Sequence, residues 1–109
     1  MWSIEFCSDE ALDEFDEMPT YIRGRLSKII AYLKILGNEL GSPHTEHLVD
    51  DLFEIRAKSK EGICRSIYAY QKGKRIIILV TFVKKTQKTP SDKIELAKRR
   101  LKEWQDENP

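Results

Sequence analysis

The segment Arg75–Val83, RIIILVTFV, constrains this chain more than any other. It is almost entirely apolar and rich in β-branched side chains, with no polar alternation. That pattern reads as a strand buried on both faces, and such a strand needs neighbours on both sides and a place at the centre of a sheet. Its strictly apolar stretch, Ile76–Val80, is far too short to span a bilayer. The neighbouring segments fit a sheet around it. Leu52–Lys58 alternates, with Phe53, Ile55 and Ala57 on one face and Glu54, Arg56 and Lys58 on the other. Ile63–Tyr70 is β-branched and aromatic, and a polar turn over residues 58–62 joins it to the first strand. Gln71-Lys72-Gly73-Lys74 is a hairpin turn. These three strands form an antiparallel meander.

The remaining segments have helical periodicity. Trp2, Ile4 and Phe6 mark a short N-terminal strand. Ser8 or Asp9 then caps a helix with acids in its first turn, and Leu12, Phe15 and Met18 form its apolar edge. Pro19 ends that helix and opens the next. There Ile22, Leu26, Ile29, Ile30, Leu33 and Leu36 form one stripe before Gly37. Asn38–Asp51 reads as a polar connection. After the loop Thr86–Thr89, Pro90 or Ser91 opens a last helix with Ile94, Ala97, Leu101 and Trp104 on its apolar side. The expected architecture is α+β, in the order βααβββα, with residues 1–109 forming a single domain around one core.

The net charge of +1 argues at first against a polyanion partner, but the distribution reverses that. Residues 1–20 carry seven acids and no base, and residues 21–51 balance. Residues 52–102 carry fifteen bases against four acids. The expectation is a basic face built by the C-terminal half and directed at a polyanion. Basic residues recur on successive strands: Arg56 and Lys58, then Arg65, then Lys84 and Lys85. Tyr68, Tyr70 and Phe82 are interleaved with them and offer rings to bases. Arginine forks suit phosphate oxygens, and cations fixed on strands can stabilise charge that develops on a phosphodiester. Cations on the solvent face of a sheet are equally ordinary, so spacing speaks more for binding than for catalysis.

Other chemistries find little support. Cys7 and Cys64 lie far apart, without a C-x-x-C pair or zinc-ligand spacing, and read as reduced thiols. His44 and His47 have the right intrinsic pKa for acid–base work but fall in a connection where capping or surface histidines are common. The N-terminus MWSIEFCSDE lacks a basic segment before an apolar stretch, so no secretory signal is expected. A cytoplasmic location without a membrane is the expectation.

The run LFEIRAKSKEGICRSIYAYQKGKRIIILVTFVKKTQKTP, residues 52–90, resembles the RelE/ParE superfamily of type II toxin–antitoxin toxins, in particular its HigB-like, phage-derived subfamily. The likeness rests on the E-x-R strand (Glu54, Arg56), on C-R-S-I-Y-A-Y and on the fairly specific F-V-K-K-T-Q-K-T-P. G-S-P-H-T-x-x-L upstream and the closing I-x-x-A-x-x-R helix are similar too, so the likeness covers roughly residues 20–103. It implies a small messenger-RNA endonuclease toxin, usually acting on the ribosome and needing no cofactor or metal. It also implies restraint by a cognate antitoxin, often of helix-turn-helix type, with operator DNA reached only through that antitoxin. In such enzymes the ribose 2′-OH attacks the adjacent phosphate, leaving a cyclic phosphate. By motif position, Arg56 and Arg65 would bind the phosphate, and Lys58, Lys84 and Lys85 would stabilise charge, one of them serving as base if its pKa is depressed. Tyr68, Tyr70, Phe82 and Lys88 would contact RNA. Many relatives use a Tyr or His near the C-terminus; this chain has Trp104 and a string of Lys and Arg there, which leaves the general acid and base unassigned. The superfamily also includes gyrase-poisoning members, so a gyrase-directed toxin or an inactive remnant that only engages antitoxin and DNA stay open.

Overall fold

The computed structural model describes all residues, Met1–Pro109. The elements are β1 (Ser3–Phe6), α1 (Asp9–Asp16), α2 (Thr20–Leu36), a 3-10 turn at Gly37–Glu39, β2 (Thr45–Val49), β3 (Leu52–Ser59), β4 (Gly62–Gln71), β5 (Arg75–Lys84) and α3 (Ser91–Glu107). They build one five-stranded sheet in the order β1-β5-β4-β3-β2. The pairs β2–β3, β3–β4 and β4–β5 are antiparallel, whereas β1 runs parallel to β5. The α+β architecture, the meander and the helix positions agree with the sequence reading.

Two expectations need correction. The connection 38–51 contains a strand, β2, which extends the meander to four strands. It is short, lies at the sheet edge and has exposed Glu46 and His47, so it lacks the alternation that marks a half-buried strand. And β5 is interior but not central; the middle strand is β4.

Buried residues alternate between two cores, one on each sheet face. On one side α2 sets Ile22, Leu26, Ile29 and Leu33 against Ile55, Ala57, Cys64, Tyr68, Ile76 and Ile78. On the other, α3 sets Ala97, Leu101 and Trp104 against Leu52, Ile67, Ala69, Ile77, Leu79 and Val80. Burial of each large aliphatic side chain contributes roughly 1.5–3 kcal/mol, which outweighs the weak propensity of short helices to form alone. At Leu79 the register shifts, Ile67 facing Val80 while Tyr68 faces Ile78. Beyond Phe6, where β1 ends, the open edge of β5 is met by side chains. Glu14 of α1 accepts from the Thr81 N–H (3.2 Å), and Arg100 of α3 donates to the Leu79 carbonyl (2.7 Å). Arg100 and Glu14 also hold each other through two hydrogen bonds of 2.9 and 2.8 Å, so one ion pair closes the sheet edge and ties two helices together.

Gly37, the C-cap of α2, has a φ of +55°, and a Cβ there would fall 2.1 Å from the Trp2 ring nitrogen. Glycine therefore lets the N-terminal strand pass close against the end of α2.

Candidate active site and basic surface

α3 covers only part of its sheet face. The register places the remaining side chains in lateral rows. Arg56 lies opposite Arg65, and Arg65 opposite Phe82; Lys58 lies opposite Ile63, and Ile63 opposite Lys84. Residues paired across a ladder share a face, so Arg56, Lys58, Arg65 and Lys84 occupy one patch. Gly62 permits the adjoining turn: its φ is +140°, and a Cβ would lie 2.7 Å from the Lys84 carbonyl oxygen.

The two arginines are bound within the fold. Glu54, only 2 % exposed, sits between them, 3.1 Å from Arg56 Nε and 3.8 Å from Arg65 Nε. Thr89 Oγ1 donates to the same carboxylate at 2.7 Å. The loop 86–89 folds back over the pair: Arg65 Nη2 donates to the carbonyls of Thr86 and, at 2.8 Å, Gln87, and Arg56 Nη2 donates to the Gln87 carbonyl. The residues T-Q-K-T of the signature are thus the strap that cages both guanidiniums, and Pro90 turns the chain into α3. Arg65 is completely buried, and its Nε and Nη1 have no hydrogen-bond partner. Burial first, and then the neighbouring Arg56, pull its guanidinium below the ordinary value. Arg56 remains half-buried and also faces Glu46 at 3.6 Å.

The lysines contrast with this. Lys58, Lys84, Lys85 and Lys88 are exposed and lie near no carboxylate. Four of the five α3 cations, by contrast, are paired: Lys98 with Asp50 and Glu95, Arg99 with Glu103, Arg100 with Glu14, and Lys102 with Asp106. The expected basic face therefore does not extend along α3 past Lys93, because carboxylates of the helix and of its neighbours neutralise the later cations.

Several residues expected to meet RNA are engaged in the core. Tyr68 is fully buried, with its ring near Phe53 and Tyr70, and has no free face for a base. Burial pushes its phenol up, and Tyr70 likewise, so neither is poised for proton transfer near neutrality. Phe82 is 6 % exposed beneath the Lys93 ammonium. Trp104 is a core residue of α3 with Arg75 over its ring, remote from the patch in the fold. Both thiols are raised by burial, Cys64 to about 12, which keeps them protonated and poorly nucleophilic. His47 is tied to the Asp50 carbonyl at 2.7 Å and packs edge-on against Phe53.

His44 is placed differently. Its carbonyl accepts from the Arg56 N–H at 3.0 Å, and its ring lies 5.9 Å from that of Tyr32. It lines a cleft of about 860 Å3 between α2 and the end of β3, together with Arg25, Lys28, Tyr32, Arg56 and Lys58. The α2 contribution escaped the sequence reading because residues 21–51 sum to zero charge. Helical spacing at 25, 28 and 32 was the available clue.

Comparison with known proteins gives the family. Residues 13–102 match the family described as "Phage derived protein Gp49-like (DUF891)". Two Mycobacterium tuberculosis strains each have a protein named "Probable endoribonuclease HigB1" that is 31% identical over 91 residues, spanning 84% of this chain and 70% of the relative. Among solved structures, an E. coli toxin RelE mutant in the free state superposes with a TM-score of 0.63 at 14% identity, covering 94% of this chain and 96% of RelE. A chain of the toxin–antitoxin complex RelBE2 from M. tuberculosis gives 0.56 at 13% identity, covering 78% of this chain and 93% of that one. The last two likenesses concern the fold. Together, the matched span and the HigB1 relatives show that this chain belongs to the phage-derived Gp49-like family, and the superpositions show that it has the RelE fold.

Proposed function

We propose that the protein is the toxin of a type II toxin–antitoxin pair and acts in the cytoplasm as a messenger-RNA endonuclease at the ribosome. The observation that carries this reading is the patch at the ends of β3, β4 and β5. Two caged guanidiniums and two free ammoniums share one sheet face there, on a chain similar to a protein named as an endoribonuclease. In the proposed reaction the ribose 2′-oxygen attacks its own 3′-phosphate. The 2′-hydroxyl gives up its proton, the P–O5′ bond breaks, a 2′,3′-cyclic phosphate forms, and the leaving 5′-oxygen takes up one proton, so the protons balance.

Lys58 and Lys84 meet the equatorial oxygens as negative charge grows on them, with Lys85 and Lys88 contacting the backbone on either side. Arg56, partly accessible, contributes a further cation. Arg65 is buried too deeply to touch substrate in this conformation, so we assign it to positioning the strap and Arg56. Metal-free chemistry and an antitoxin that covers the cationic patch with a helix or acidic segment belong to the same proposal.

The test is RNA end-mapping after brief induction, with and without translation. Endonuclease action gives new 5′-hydroxyl ends within translated messages, and these disappear in Lys84→Ala. Growth arrest with intact messages and blocked supercoiling would instead identify a gyrase poison.

A further inference from the structure

The sequence assigns α2 to the core, yet its outer face is as distinctive as its inner one. Arg25, Lys28 and Tyr32 fall on one exposed helical stripe. Neither cation lies near a carboxylate, unlike every Lys and Arg of α3 from Lys98 onward. Opposite them, β2 pairs with β3 only as far as Ile55, so the β3 edge beyond Arg56 carries no neighbouring strand. The space between α2 and that edge is the cleft of about 860 Å3. A second hollow, about 630 Å3, continues it past Arg25 and Lys58 toward Lys60. The ring pair Tyr32–His44 stands at one end, and Arg56 and Lys58 open it toward the proposed reaction site.

We propose that this groove binds a single RNA strand and feeds it around the β3 edge to the cationic patch. Arg25 and Lys28 hold successive phosphates, and a base stacks at Tyr32 and His44. The charge and the rings point to this occupant. Unpaired cations in a row favour a polyanion, and aromatic faces beside them favour bases that are not already paired. An acidic antitoxin segment would use the cations but would leave the rings idle. This inference rests on the endonuclease reading for the strand's destination.

The experiment measures binding of a short, fluorescein-labelled 2′-O-methyl RNA, which cannot be cleaved, across a salt series. The full-length protein is compared with Arg25→Glu/Lys28→Glu and with Tyr32→Ala. Each single-stranded phosphate contact contributes about 0.7 to the salt slope, so the double variant should lower the slope by about 1.4 and the affinity by tenfold or more. Tyr32→Ala should lose roughly tenfold in affinity with the slope unchanged. Arg99→Glu/Lys102→Glu changes net charge equally on the outer face of α3 and should bind as wild type does. Thermal melts confirm that these surface variants fold.

An unchanged slope in the Arg25/Lys28 variant, or no salt-dependent binding by the wild type, overturns the groove. If that variant instead loses antitoxin affinity while RNA binding persists, the groove is a protein seat. End-mapping separates the two readings: cleavage that continues in the variant with unaltered efficiency refutes the groove alone, and groove binding without cleavage anywhere refutes the endonuclease.

Discussion

The caged arginines and the free lysines of the patch are neighbours in the register and opposites in physics. Arg56 and Arg65 share one buried carboxylate and two loop carbonyls, with Glu46 also facing Arg56, while Lys58 and Lys84 extend into water. A buried cation that has lost its hydration depends on its partners, and deleting a partner costs far more than the pair contributes. An exposed ammonium contributes little to folding but remains available to a ligand. Alanine scanning of the motif therefore mixes two effects that need separate readouts.

The largest effect should come from breaking the cage. Glu54→Gln removes the only carboxylate near Arg65 and leaves two guanidiniums side by side. We expect a loss of about 3–5 kcal/mol, and a melting temperature lower by more than about 10 °C. Replacing both partners, as in Glu54→Leu/Arg65→Leu, should cost less than the sum of the single changes. A Glu54→Gln protein that melts within about 2 °C of wild type would show that the cage is not what holds the arginines.

Lys84→Ala should reverse the pattern. Its stability should stay within about 0.5 kcal/mol of wild type, while cleavage slows by roughly 100-fold, the typical loss when one charge-stabilising donor is removed. Unaltered cleavage by both Lys84→Ala and Lys58→Ala would place the reaction elsewhere. Next in size is Thr89→Val, which deletes the hydroxyl that donates to buried Glu54 while keeping the volume. It should cost about 1.5–3 kcal/mol and loosen the strap, raising hydrogen exchange at Thr86 and Gln87 before it affects the strands.

These regions also differ in how far the sequence disclosed them. The strands and both buried helix stripes were legible, because an alternating strand and a helix leave periodic marks and β5 shows as an unbroken apolar run. β2 was not, since an edge strand bearing Glu46 and His47 is held by backbone pairing rather than by an apolar face. The basic patch was legible as a list of residues, but Glu54 was seen only as part of a motif. Its bridging position needs the β3–β4 register and the return of the loop 86–89, neither of which is local. Charge sums misled in both directions. They counted the α3 cations from Lys98 onward, which their own helix and its neighbours neutralise, and they hid Arg25 and Lys28 behind distant acids.

The smallest expected effect lies at an exposed polar contact, Tyr21 Oη to Glu61 at 2.7 Å. The hydrogen bond from Tyr21 holds the Glu61 carboxyl below its ordinary 4.5, and the same bond holds the Tyr21 phenol above its ordinary 10.0. A lowered acid contributes stability above its ordinary pKa and loses it as pH falls through the lowered value. A raised phenol contributes stability below its ordinary pKa and loses it as pH rises through the raised one. The contact should therefore act across the whole range between, and fade below about pH 4.5 and above about pH 10. Tyr21→Phe should give slightly lower urea midpoints inside that window and coincide with wild type outside it. Because both groups are open to solvent, raising the salt should shrink the difference. A gap as large as that of Thr89→Val would mean that exposure does not separate the strong polar contacts of this fold from the weak ones.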